Sequence, residues 1–166
     1  MMIRAINVKQ FKFLLVSLLI SIGTGLLSAA VTGDPSAAYQ ALQKPSFSPP
    51  QWVFPVVWTV LFILIGIAAY LVGRNGREKP GVREALFYYG VTLLLTFFWS
   101  PIFFRWGLYG LAVIWVILIL IAAIITTIKF WNINRAAGIL FVPFTAWVAF
   151  ATVLTTTIWW LNRVNG

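Results

Sequence analysis

The chain has 166 residues, of which 61% are hydrophobic and 9% charged, with a formal net charge of +9. A water-soluble domain carries roughly 25% charged residues, so this chain cannot coat a globule in water. It holds neither cysteine nor histidine, which excludes disulfides, Cys/His metal centres and a Ser-His-Asp triad.

Five uncharged stretches follow one another along the chain, at 13–31, 52–72, 86–104, 108–128 and 138–161. A helix rises ~1.5 Å per residue, so about 20 residues cross a hydrocarbon core of about 30 Å. The pattern predicts an all-α integral membrane protein, a single five-helix bundle occupying 1–166. A membrane barrel needs strands of about ten residues with alternating polarity, and none occurs. The first stretch, preceded by Lys9 and Lys12 and ending near Ser28-Ala29-Ala30, also has the look of a cleaved signal peptide. Its apolar core is longer than the usual 7–15 or so residues of such a segment.

The charges fall outside these stretches. Arg4, Lys9, Lys12, Arg74, Arg77, Lys79, Arg83, Lys129 and Arg135 share one side of the predicted bundle, and Lys44, Arg105 and Arg163 the other. The positive-inside rule then places the amino terminus inside and the carboxyl terminus outside. Topology accounts for the basic excess without a nucleic-acid partner, and the cluster in the second loop suits anionic lipid. Asp34, Glu78 and Glu84 are assigned to loops. With no ionisable side chain of the Asp, Glu, Lys or Arg type at membrane depth, proton relays and charge-coupled transport lack their usual machinery.

The first loop, 32–51, is longer than a connector needs, as lids and binding loops are. Its early part, Pro35 to Leu42, predicts a short helix capped by Asp34. Its late part carries Pro45, Pro49 and Pro50, which favour extended geometry and a stiff arm. The third loop is three residues, a tight hairpin, and the fourth spans nine, 129–137. There is no internal repeat of the kind transporter halves show.

Tryptophans sort by depth. Trp52, Trp106, Trp131, Trp159 and Trp160 stand at the ends of stretches and fit an interfacial aromatic belt. Trp58, Trp99, Trp115 and Trp147 stand inside them, each with an indole N–H that needs a partner. Pro55, Pro101 and Pro143 lie near Trp58, Trp99 and Trp147, and kinks there would open space between helices. Small or polar residues also lie near: Thr59, Thr96, Ser100, Thr145, Ala146, Ala151 and Thr155. Ala151 and Thr155 share the helix face of Trp147 at spacings of four. An apolar hollow with aromatic walls and few polar groups is the usual form of a small-molecule site; ordinary packing is the alternative. Gly25-x-x-x-Ala29 in the first stretch fits close helix packing, within or between chains.

Three segments resemble the translocator protein family, also called TspO/MBR or peripheral benzodiazepine receptor: YQALQKPSFSPPQWVFPVVWT at 39–59, WSPIFF at 99–104 and PFTAWVAFAT at 143–152. The resemblance implies a five-helix bundle, often dimeric, that binds porphyrins such as protoporphyrin IX, benzodiazepine-type ligands and, in animals, cholesterol, beneath a lid formed by the first loop. By motif, Trp58 and Trp147 resemble the pocket tryptophans linked to light-dependent porphyrin breakdown. Trp99 and Ala151 resemble other pocket positions, Tyr39 and Pro49 belong to the lid, and Trp52, Thr96 and Thr155 complete the expected ligand-binding set. The family's asparagines are replaced by Thr96 and Thr155, whose hydroxyls reach less far than an amide. The animal sterol motif is broken at Thr156 and Trp160. The expected function is therefore a receptor or sensor for tetrapyrroles, with porphyrin as ligand rather than cofactor. Photochemical porphyrin degradation and porphyrin or lipid transport are the alternatives.

Overall fold

The computed structural model describes residues 7–76 and 78–164. Five long apolar helices pack side by side: α1 (Val8–Thr32), α3 (Val53–Gly73), α4 (Val82–Ser100), α5 (Tyr109–Ile133) and α6 (Arg135–Asn162). A sixth, α2 (Ser36–Ala41), lies in the first loop. The five long ones are each long and apolar enough to cross a membrane, and the described residues contain no strand. Arg4 and Arg77 of the basic tally lie outside the described residues.

The helices outrun the uncharged stretches at several ends. Lys9 and Lys12 lie in α1, Arg83 and Glu84 in the first turn of α4, Lys129 in α5 and Arg135 at the start of α6. The predicted fourth loop is thereby corrected: only Asn134 separates α5 from α6. The side chain of Asn134 accepts from Ala137 N at 3.1 Å, capping α6. The physical reason is that charge-free length measures the hydrocarbon core, whereas a helix continues into the interface wherever its caps and charges are tolerated. Glu84, assigned to a loop from sequence, instead pairs with Lys129 at 2.8 Å.

The three prolines also act differently from one another. Pro55 occupies the third position of α3, where its missing N–H costs no helical bond, so it does not kink that helix. Pro143 does sit inside α6. Pro101 begins a π-helical turn, Pro101–Arg105, that closes α4. Because Pro101 has no N–H to give the carbonyl of Phe97 four residues back, that carbonyl needs another donor, and Ser28 Oγ on α1 supplies it at 2.7 Å. Thr32 Oγ1 lies 3.0 Å from Ser100 Oγ, and Arg105 donates to the carbonyl of Val31. The end of α1 is thus sutured to the end of α4. Gly107, at φ 63°, supplies the left-handed residue that turns the chain tightly into α5.

Towards the other end, α1 and α3 approach closely through glycines of α3. A Cβ on Gly66 would collide with Ser21 Oγ and one on Gly73 with the ring of Phe13. Phe130, Phe141 and Phe144 are fully buried between α4, α5 and α6, with Tyr89 edge-on to Phe141. These contacts pack α1 and α3, and α4 to α6, closely below the first loop.

Candidate functional site

Tyr39 of α2 reaches down from the loop and is only 5% exposed. Its hydroxyl donates to the carbonyl of Pro49 at 2.8 Å, so the helical and the proline-rich parts of the loop hold each other. Burial raises the pKa of the phenol above its ordinary value, which keeps that proton in place. Asp34 Oδ1 accepts from Ser36 N at 2.9 Å, as a cap does, and Gln51 Nε2 donates to Ser36 Oγ at 2.7 Å. Lys44 Nζ donates to the carbonyls of Tyr39 and Leu42 at 2.6 and 3.0 Å, at the carboxyl end of α2. The loop is also fastened to α6: Asn162 accepts from Gln43 N at 3.0 Å and donates to Gln43 O at 2.9 Å. Phe47 meets Phe150 edge-on, with centroids 6.3 Å apart.

Beneath this roof lies a cavity of about 700 Å³, within the 300–1,000 Å³ or so typical of small-molecule sites. α1 contributes Gly25, Ser28 and Ala29, and α3 contributes Phe54, Trp58 and Phe62. α4 and the π turn add Thr96, Trp99, Ser100 and Phe104. Asp34, Ser36, Tyr39, Gln51 and Trp52 form the loop side. Trp52 is 67% exposed, so it stands at the edge of the cavity and not within it.

A second crevice of about 20 Å³ lies on the other side of the wall formed by Tyr39, Phe54, Trp58, Trp99 and Phe104. It is completed by residues of α6, among them Trp147, Ala151 and Thr155. Space of that size suits about one water molecule and no larger ligand. The indoles of Trp58, Trp99 and Trp147 therefore do border one void. The roomy cavity, however, is bordered only by the first two. Pro49 borders neither void and acts through its bond to Tyr39.

Other expected neighbours take no part. Thr59 is exposed and donates to the carbonyl of Pro55, whereas Thr145 pairs with Thr127 of α5 at 2.8 Å. Ala146 is exposed. Trp115 donates to the carbonyl of Leu95 at 2.7 Å and so ties α5 to α4. Conversely, Gly25 and Ala29 read from sequence as packing residues. Gly25 is both: a Cβ there would stand 2.6 Å from the Phe62 ring, while Ala29 is exposed and faces the cavity. Helical spacing of small residues marks a face on which neighbours come close, and that signal does not distinguish a helix from a ligand.

The indoles are held firmly. Trp99 stacks on Phe103 at 5.3 Å and 18°, with Phe104 edge-on at 6.0 Å. Trp58 stacks on Phe62 at 5.7 Å and meets Phe144 edge-on. Trp99 is 9% exposed, and its Nε1 has no hydrogen-bond partner in the protein. A buried donor left unpaired costs about 1–3 kcal/mol. Thr96 Oγ1 bonds to the carbonyl of Thr92 at 2.7 Å, so its proton is already engaged.

A model of the TspO/MBR family matches residues 14–161. The tryptophan-rich protein TspO of Chlorobaculum tepidum is 33% identical over 160 residues, covering 93% of this chain and 98% of its own. Protein CrtK of Rhodobacter capsulatus is 36% identical over 139 residues, 81% and 86% of the two chains. The human translocator protein is 36% identical over 141 residues, 84% and 83% of the two chains.

Proposed function

The chain belongs to the TspO/MBR family and is a multi-pass integral membrane protein; from that premise we propose that it is a receptor, or sensor, for tetrapyrroles and similar flat apolar molecules, held in the cavity beneath the first loop. A relative in Cereibacter sphaeroides, 36% identical over 138 residues, bears the name tryptophan-rich sensory protein. The observation that carries the reading is a cavity of about 700 Å³ whose lining includes two indoles, Trp58 and Trp99. A planar ligand gains there from stacking, worth roughly 0.5–1.5 kcal/mol per aromatic pair beyond buried area. The loop is already ordered by its prolines and by Tyr39, so closing over a ligand loses little entropy. By the positive-inside rule the roof faces outward and the amino terminus inward.

The test is a titration of the detergent-solubilised protein with protoporphyrin IX, followed by quenching of tryptophan fluorescence. Replacing Trp58 and Trp99 together by leucine is expected to weaken binding at least several-fold, and unchanged affinity would reject the site. Trp147→Phe is expected to matter less, since Trp147 stands behind the wall.

One observation favours a photochemical reading as well. Trp58 and Trp147 border the same crevice, with Phe54 edge-on to Trp147 at 6.1 Å. In that reading these two indoles exchange electrons with an excited porphyrin. Illumination of the complex should then give a porphyrin product that free porphyrin does not. Bleaching at the rate of the free ligand would retire the idea.

A further inference from the structure

The cavity has an electrical asymmetry. Its lining includes one ionisable group of the Asp, Glu, Lys or Arg type, Asp34 at the rim, and no basic residue at all. The three cations of this end of the bundle are each engaged elsewhere. Lys44 is bonded to the carbonyls of Tyr39 and Leu42, Arg105 to that of Val31, and Arg163 lies over the rings of Trp159 and Trp160. Asp34 forms no ion pair among the described residues. Its hydrogen bonds, from the side chain and backbone of Ser36, hold its pKa below the ordinary value, so it is a carboxylate at neutral pH.

We propose that the cavity selects its ligands by charge, taking flat molecules that present a cation or neutral donor to Asp34 and disfavouring those that bring a carboxylate to the rim. The inference rests on the reading of this cavity as the ligand site. It adds that a tetrapyrrole binds with its acidic groups turned out to water or masked as esters or amides. The preference runs against the protein as a whole, whose formal net charge of +9 attracts anions. That long-range field is damped within a Debye length of about 8–10 Å at ordinary ionic strength, so the nearby carboxylate decides.

A matched pair of probes tests this apart from porphyrin: 1-pyrenemethylamine, a cation at pH 7, and 1-pyreneacetic acid, an anion. Each is titrated in neutral dodecyl maltoside, with energy transfer from tryptophan to pyrene as the signal, against the wild-type protein and Asp34→Asn. Asparagine caps a helix as well as aspartate does, so the loop keeps its fold. An exposed charge contact supports a preference for the amine of about three-fold or more, and the substitution should bring the ratio close to one. Equal affinities, a preference for the acid, an undiminished ratio in Asp34→Asn, or no binding of either probe would overturn the proposal. Competition with protoporphyrin IX separates the two readings. If it fails to displace the amine, the tetrapyrrole assignment falls while charge selection stands.

Discussion

Trp99 carries a donor that the fold does not spend. Its neighbour in kind, Trp115, gives its N–H to Leu95 O, whereas Trp99 Nε1 is buried without a partner. The two residues should therefore respond differently to the same change. Trp99→Phe keeps a ring against Phe103 but trims the indole that borders the cavity. It is expected to weaken protoporphyrin binding several-fold through lost ring contact, worth roughly 0.5–1.5 kcal/mol per aromatic pair. Trp115→Phe should leave affinity unchanged and lower the melting temperature, because it removes the bond that ties α5 to α4. Paired titrations and melts in detergent check both, and equal effects of the two substitutions on affinity would contradict the account. From sequence, depth alone picked out these indoles as distinct from the interfacial belt. It did not reveal which of them face open space, since depth along a helix says nothing about rotation around it. Trp147 illustrates the gap: its motif placed it with Trp58, and it does share a void with Trp58, but the smaller of the two.

At the scale of elements, the long helices were legible because an uncharged run of sufficient length has few alternatives in a lipid bilayer. Their ends were not, because Lys, Arg and Glu side chains at helix termini reach the interface and let the helix continue. The π turn was also hidden. Pro101 leaves the carbonyl of Phe97 without its helical donor, and Ser28 of a different helix takes it; no local pattern reports a partner 69 residues away. Two predictions belong to this scale. Gly66→Ala pushes a methyl group against Ser21 Oγ and the backbone of Leu18 on α1, an overpacking expected to cost about 1–3 kcal/mol. Gly90→Ala meets nothing within 4 Å and should be neutral or stabilising, as alanine is the better helix former. Thermal melts of the two variants in one detergent compare them directly. The second concerns the roof. Asn162→Ala removes both bonds between α6 and Gln43, so the loop should open more readily and bound porphyrin should leave several-fold faster in stopped-flow dilution. Unchanged release would mean that the loop is held by Tyr39 and its prolines alone.

For the whole molecule, close packing at one end and a cavity at the other make a vessel with a fixed base and a fastened cover. The base follows from glycines of α3, Tyr89 of α4 and the phenylalanines of α5 and α6. The opening follows where α1, α3 and α4 meet beneath the loop. The part α1 plays in that wall was the least legible feature, because its small residues serve both to pack against Phe62 and to leave room. The most direct measurement is a structure of the protein determined with protoporphyrin IX bound. The macrocycle should lie between α1, α3 and α4, in contact with Trp58 and Trp99 and covered by Tyr39, with its carboxylates directed away from Asp34. A macrocycle on the lipid-facing surface, or one inserted against α6 beside Trp147 with the larger cavity left open, would contradict it.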